Sequence, residues 1–484
     1  MDSEEFRRYG HAVVDRVADY MKNVDTYPVL PQVEPGDIRR KLPPSAPSSG
    51  ESMDAILADF ESIIMPGVTH WNHPRFFAYF PANHSGPAIL GEILSAGLGV
   101  NGMVWQSCPA ATELEEVVME WLGKLLDLPD AFRGVIQDTA STASLCALLC
   151  ARERSTGFDV NARGPDAWSE RGALRVYVSS EAHSSIEKGA KIAGFGAQNV
   201  VTVAVDDRFA MDPAALEKTI AVDRDKGLVP CCIVATVGTT SSTAIDPLRS
   251  IGAIARKEGL WLHVDAALAG SAAILPEMRH LLDGIDDAHS FVFNPHKWLF
   301  TNFDCSAFYC REPETLVRTL TIMPEYLKTA QDREVTNYRD WGIPLGRRFR
   351  SLKLWFVMRS FGVDGLRRRL RAHLALAHDF ERWVDESDRF EVMAPVPVQT
   401  VCFRFNPFKG QGTETDEGRI EKLNERLLDE VNRSGRIFIT HTRLGGRFCL
   451  RLSVGQIQTG ARHVEEAWHA LRTSPVVEAW KSAD

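Results

Sequence analysis

Four short apolar runs in this sequence each lead into a polar group that can do chemistry. His183 follows RVYVSS; Gly238, Thr239 and Thr240 follow CCIVATV; WLHVD ends in Asp265; and SFVFNPHKWLF, Ser290 to Phe300, carries His296 and Lys297. A lysine set among Phe and Trp side chains loses pKa by desolvation and becomes a nucleophile toward carbonyls. A carboxylate ending an apolar run must be exposed or paired, because burial without a partner is costly. His263 and Asp265 share a strand face two residues apart, a spacing that two metal ligands can use. No third ligand stands at a motif-like spacing, so no metal is expected.

One cofactor uses all of these groups. Pyridoxal 5'-phosphate needs a lysine to hold its aldehyde as a Schiff base, the part expected of Lys297. It needs an acid against its pyridine nitrogen, expected of Asp265, so that the ring stays protonated and accepts electrons. A flat side chain, His183, suits one face of the ring, and the small Ala267 leaves room at the other. The dianionic phosphate calls for backbone N–H groups at a helix start together with hydroxyls. QDTASTASLCALLCARER supplies Thr139, Ala140 and Ser141 at the mouth of an apolar helix, with Thr240 and His296 available from neighbouring loops.

The elements that must position these groups are legible in outline. From about residue 86 to 350, β-rich runs alternate with helical patterns such as SSIEKGAKIAGF and PLRSIGAIARKEG. That alternation implies a mostly parallel sheet with helices on both faces, and ligands in such sheets bind beyond the carboxyl ends of the strands. Residues 1–85 read as an N-terminal helical arm with little to pack on by itself, suited to embracing a second subunit. Residues 351–484 read as a small C-terminal α+β domain, with long amphipathic helices and the strands VCFRFNP and FCLRLSV.

At 484 residues the chain is long enough for two or three domains, and 44% hydrophobic with 25% charged residues is an ordinary globular balance. A net charge of −9 without a basic block argues against nucleic acid and against anionic membranes. The opening MDSEEFRRYG is polar and acidic, unlike a secretory leader, and no apolar run reaches 18 residues. Nine cysteines without a C-x-x-C pair fit buried small hydrophobes in a reducing, cytoplasmic setting.

VDAALAG followed by NPHKW, with Lys297 thirty-two residues after Asp265, resembles the group II pyridoxal-phosphate amino acid decarboxylases, and within them the aromatic-L-amino-acid decarboxylases. The resemblance covers nearly the whole chain, through VEPGDIRRKLP, THWNHPRFFAYFPA, SCPAATELE, EAHSSIEKGA, NFDCSAF and WGIPLGRRFRSLKLWF. It implies a fold-type I α/β architecture and a homodimer with active sites at the subunit interface. The implied reaction is decarboxylation of an aromatic L-amino acid to its arylalkylamine.

The resemblance also assigns roles. Tyr338, behind the aperiodic stretch Lys328 to Asn337, would protonate Cα after CO2 leaves, reaching across the dimer interface. Trp71, Tyr79, Phe80 and Pro81 would line the side-chain pocket, with Asn101 and Met103 from the other subunit, and Gly346 would leave room for an indole. Arg75 is a candidate for binding a second substrate carboxylate, but no arginine in the sequence must do so, and a glutamate or sulfinate substrate is not expected. Relatives that make aldehydes with consumption of oxygen tend to replace the tyrosine by Phe or the histidine by Asn. This chain keeps both, so the amine is favoured over the aldehyde, and a transaminase or a catalytically weak homologue is a further alternative. Three positions depart from the pattern. In the loop that resembles QG-S/T-ASE, Asp138 replaces the glycine and Thr142 the glutamate, and Leu268 stands where many members carry an aromatic residue.

Overall fold

In a computed structural model, which describes residues 1–164, 166–169, 172–322, 334–410 and 416–481, the chain forms two compact units. The larger comprises Ala82–His378 and Ala394–Cys402. Its centre is a seven-stranded sheet among the described residues: β1 (Arg133–Gln137), β2 (Leu174–Ser179), β3 (Val200–Val203), β4 (Val229–Thr236), β5 (Trp261–Asp265), β6 (Ser290–Phe293) and β7 (Ser306–Cys310), in the order β1-β7-β6-β5-β4-β2-β3. Only β7 runs against its neighbours β1 and β6, so the other six strands all point the same way. The expected mostly parallel sheet is therefore observed. β4, β5 and β6 are buried almost throughout, as strands covered on both faces should be.

Helix Ala140–Thr156 lies at the centre of this unit, where the small side chains of Ala143, Ala147 and Ala151 allow close approach to the sheet. A histidine clamps it there. His263 on β5 is fully buried, with Nε2 3.0 Å from the Ser144 hydroxyl on that helix and Nδ1 2.9 Å from the Ser290 hydroxyl on β6. Both ring nitrogens thus serve the fold. Eight of the nine cysteines are buried and none of the nine forms a disulfide.

Helix Gly86–Leu98 has an inverted amphipathic pattern. It buries its small residues Ala88 and Gly91, and a methyl group at Gly91 would lie 2.7 Å from the Lys353 Cα. Its large apolar residues Leu90, Ile93, Leu94 and Leu98 all face outward.

The smaller unit comprises Met1–Pro81, Asp379–Met393 and Phe403–Asp484. It holds most of the second sheet, formed by β8 (Phe390–Val392), β9 (Thr400–Phe405, of which Phe403–Phe405 belong to this unit), β10 (Thr440–Leu444) and β11 (Arg447–Ser453) in the order β10-β11-β9-β8, with helices Glu417–Arg433 and Ala461–Arg472. Phe380, Phe390, Phe403 and Trp468 pack edge-on or tilted in its core. A division at residues 85 and 350 is not the one observed. Residues 1–81 share a compact unit with the C-terminal segments, and the other boundary falls at residue 378. The long helix Arg350–Asp385 explains the second offset: it breaks at Gly362 (φ 62°), but its first part and most of its second belong to the larger unit.

His263 also sets a pH dependence. Burial pushes its pKa down to about 4, against the pull of Asp265. Unfolded, it takes a proton below about 6.5. The folded state does not, so its contribution to stability is present above that value and is lost as pH falls toward 4. Thermal unfolding of His263→Gln between pH 6.5 and 4 should show a slope shallower than wild type by up to about 1.4 kcal/mol per pH unit; an unchanged slope would contradict the neutral clamp.

Candidate active site

Lys297 sits in the short helix Pro295–Trp298 directly after β6, and its backbone N–H bonds the Asn294 carbonyl at 2.9 Å. Asn83 fixes this turn from a distant part of the chain. Its amide Nδ2 donates to the Lys297 carbonyl at 2.6 Å, and its backbone N–H donates to the His296 carbonyl at 3.0 Å. Burial lowers the Lys297 pKa, with the Asp265 charge working the other way. An amine so placed loses its proton more readily than a surface lysine and is readier to attack an aldehyde.

Asp265 closes β5 in register with Thr236 on β4 and Val292 on β6, and its Oδ1 accepts the Ala267 N–H at 3.0 Å. His183 caps the helix Ser184–Ile192: its Nδ1 accepts the Ser185 N–H at 3.2 Å and lies 2.8 Å from the Ser185 hydroxyl. These bonds lock the ring. Burial lowers its pKa, then the Lys297 charge lowers it further while Asp265 opposes, so the ring is neutral at pH 7. His183, Asp265 and Lys297 are thus electrostatically coupled neighbours, brought together from three separate strand ends.

The phosphate-type donors lie on the same side of the sheet. His296 is buried with a pKa pushed down to about 3, and its Nδ1 accepts the Cys305 N–H at 2.9 Å. That bond leaves the proton on Nε2, where it can serve a phosphate oxygen. Thr139 caps helix Ala140–Thr156, with Ala140 and Ser141 in its first turn; Thr240 stands exposed after β4. Two further hydroxyls were missed from sequence. Thr236 Oγ1 and Ser179 Oγ, at the ends of β4 and β2, are buried without a hydrogen-bond partner among the described residues. Buried hydroxyls at strand ends beside Asp265 call for a polar ligand. Amine, acid, clamped ring, helix start and unsatisfied hydroxyls together fit pyridoxal phosphate.

Tyr338 is not in this cluster within one chain. Its hydroxyl donates to the Gly134 carbonyl at 3.4 Å, its ring meets Trp341 edge-on, and the Arg347 guanidinium lies 4.6 Å above it. Gly134 is about 10 Å upstream of the end of β1, by the rise of an extended chain. Tyr338 instead belongs to a second group. Arg339 N–H bonds the Met103 carbonyl at 2.9 Å, Trp105 N–H bonds Asn337 Oδ1 at 2.9 Å, and Arg347 N–H bonds Asn101 Oδ1 at 2.8 Å. A methyl group at Gly346 would lie 3.6 Å from Asn101 Nδ2. So hydrogen bonds of Asn337, Arg339 and Arg347, the chain neighbours of Tyr338 and Gly346, tie these two to the segment that carries Asn101 and Met103; Tyr338, Asn101 and Met103 are the three expected to act across a subunit interface. Within the stretch Lys328 to Asn337, residues 328–333 lie outside the described residues.

In the smaller unit the aromatic run divides. Phe76 and Phe77 are 1% and 0% exposed and are core, whereas Trp71 and Tyr79 are 37% and 52% exposed and stack at 5.6 Å with ring planes 15° apart. Phe80 lies under the Arg451 guanidinium, and Pro81 is buried against Gly455. Arg75 is withdrawn as a substrate-carboxylate site: its guanidinium pairs with Asp25 and Glu466, each at 3.0 Å. Leu268 is fully buried.

Residues 35–406 match the family model described as the pyridoxal-dependent decarboxylase conserved domain. The chain is 46% identical to tyrosine decarboxylase 1 of Narcissus pseudonarcissus, over 98% of this chain and 92% of that protein. It is 45% identical to the phenylacetaldehyde synthase of Arabidopsis thaliana, over 98% of this chain and 96% of that protein. Among solved structures, Oryza sativa TDC with PLP and tryptamine superposes with a TM-score of 0.94 at 38% identity, covering 99% of each chain.

Lys297→Ala should abolish the visible absorbance that develops when wild-type protein is loaded with pyridoxal phosphate. A variant with the wild-type spectrum would show that another amine holds the aldehyde.

Proposed function

The chain belongs to the pyridoxal-dependent decarboxylase family, and from that premise we propose that it removes the α-carboxylate of an aromatic L-amino acid and releases the arylalkylamine. It is a pyridoxal-phosphate-dependent carboxy-lyase. The observation that carries the reading is the convergence of Lys297, Asp265 and His183 at three strand ends beside unsatisfied hydroxyls. When bound, pyridoxal phosphate supplies the electron sink that lets the bond from Cα to the carboxylate break.

The residues do the rest. Lys297 binds the cofactor through its amine, and Asp265 keeps a proton at the ring nitrogen. The neutral His183 imidazole offers a flat face, held in place by Ser185. His296, Thr139, Ala140, Ser141 and Thr240 are the proposed phosphate contacts, and Thr236 joins the cofactor-facing hydroxyls. Tyr338 holds its proton firmly, because burial raises its pKa well above that of free tyrosine, and it is the proposed donor to Cα. Substrate-contact roles for Trp71, Tyr79, Phe80, Pro81, Asn101, Met103 and Gly346 are part of the same proposal, supported for an aromatic ring by the exposure of the stacked Trp71 and Tyr79 side chains.

The working form is proposed to be a homodimer, in which one subunit's patch of Tyr338, Asn101, Met103 and Gly346 serves its partner's lysine. Two observations support this. Tyr338 is turned toward Gly134 in its own chain, and helix Gly86–Leu98 presents Leu90, Ile93, Leu94 and Leu98 outward, as an interface helix would. The N-terminal helix Ser3–Asn23 buries none of its residues and leaves Phe6, Val13 and Val14 exposed, which suits the embracing arm. No helix among the described residues is long and apolar enough to cross a membrane. Nine cysteines without a disulfide favour a reducing compartment such as the cytoplasm.

The aldehyde-forming alternative keeps its place because the Arabidopsis phenylacetaldehyde synthase is among the similar proteins. The amine is favoured, since the chain retains both Tyr338 and His183. Tyr338→Phe should keep cofactor binding and shift product from amine toward aldehyde; amine formation at the wild-type rate would remove the tyrosine from the mechanism. Lys297→Ala protein, inactive, and Tyr338→Phe protein, depleted in amine, should together form amine at about a quarter of the wild-type rate when unfolded and refolded as an equal mixture, because half of the chains' pairings then contain one intact site. No recovery would place Tyr338 in its own subunit's site.

A further inference from the structure

We infer that Asp138 and Thr142 form a relocated helix cap: Asp138 supplies to the phosphate loop the carboxylate that the family pattern places at position 142. The inference rests on the cofactor reading above and concerns how this chain builds its phosphate loop.

Helix Ala140–Thr156 begins with Thr139 as its capping residue, and the Thr142 N–H donates to the Thr139 hydroxyl at 3.4 Å. That is one half of a capping box. In the complete box a Glu at the third helical position reaches back to the backbone N–H of the capping residue. The pattern QG-S/T-ASE has such a Glu; here the position is Thr142, whose short side chain ends 3.4 Å from the Thr139 hydroxyl and does not bond the Thr139 N–H. The Thr139 N–H is not left without a partner. Asp138 Oδ1 accepts it at 2.6 Å, and lies 3.4 Å from the Thr139 hydroxyl as well.

The two departures from the pattern therefore compensate. The glycine-to-aspartate change adds a carboxylate on the N-terminal side of the helix start, and the glutamate-to-threonine change removes one from its first turn. The helix start keeps a single carboxylate, which is favourable there because it faces the positive end of the helix dipole. A second carboxylate would be different. It would crowd a dianionic phosphate at the same helix start, with no further donor to satisfy.

Asp138 is accordingly a positioning residue, and the test is a double-mutant cycle read without turnover. Asp138→Gly should lower the melting temperature of the apoprotein by several degrees, and Asp138→Gly with Thr142→Glu should recover most of that loss. Thr142→Glu alone should leave the melting temperature near wild type but weaken pyridoxal phosphate binding about tenfold in an absorbance titration, an effect that high salt reduces. In the double variant the affinity should return to within a few-fold of wild type. Two results would overturn the inference: an Asp138→Gly apoprotein as stable as wild type, or no recovery on adding Thr142→Glu. A different failure marks the cofactor reading. If both Thr142→Glu and Ser141→Ala bind pyridoxal phosphate as wild type does, the phosphate lies elsewhere and the pair does not serve it.

Discussion

A lysine amine held out of water beside one carboxylate is the constraint around which the larger unit is arranged. Burial works against the Lys297 charge, and Asp265 is the charge that offsets it. Neither group can be placed there by local structure alone. Lys297 needs β6 to end where it does, with Asn83 tying down the turn from 214 residues away. Asp265 needs β5 to stop in register with β4 and β6, and His183 needs its helix cap to keep the ring fixed where it feels both charges. The parallel sheet supplies the common edge at which these ends meet.

The same reasoning explains why so much neutral polarity is buried nearby. His263 and His296 are both held neutral by burial, one clamped between two serine hydroxyls and the other bonded to a backbone N–H. A charge on His263 would have competed with Lys297 for Asp265. Keeping them neutral leaves the amine and the carboxylate as the principal opposed pair at these strand ends. A helix start with a single carboxylate follows the same economy of charge.

What was legible in the sequence follows from what is local. The runs that became β2, β4, β5 and β6 could be read because buried parallel strands are continuous apolar segments, and each polar group just after them was visible as an exception. β1, β3 and β7 were not singled out: β3 has four residues, and the antiparallel direction of β7 depends on its neighbours rather than on its own side chains. The N-terminal helix was recognisable from its period, but its membership in a unit with the C-terminal segments depends on long-range bonds such as that from Gln458 Nε2 to the Met21 carbonyl. At the site, Thr236 carried a usable signal as the hydroxyl closing an apolar strand. Asn83 carried none, since its role exists only where two distant segments meet. Asp138 was visible as an oddity, yet its meaning required knowing which N–H it satisfies.

The central claim is that the chain makes an amine from an aromatic amino acid, and its most direct test is the product itself. Purified protein loaded with pyridoxal phosphate would be given L-Trp, L-Tyr, L-Phe and L-Dopa together, and the mixture analysed by mass spectrometry for amines and aldehydes. The account predicts one or two arylalkylamines with CO2 released in equal amount. Aldehyde with hydrogen peroxide in place of amine, or no product from any of the four, would contradict it.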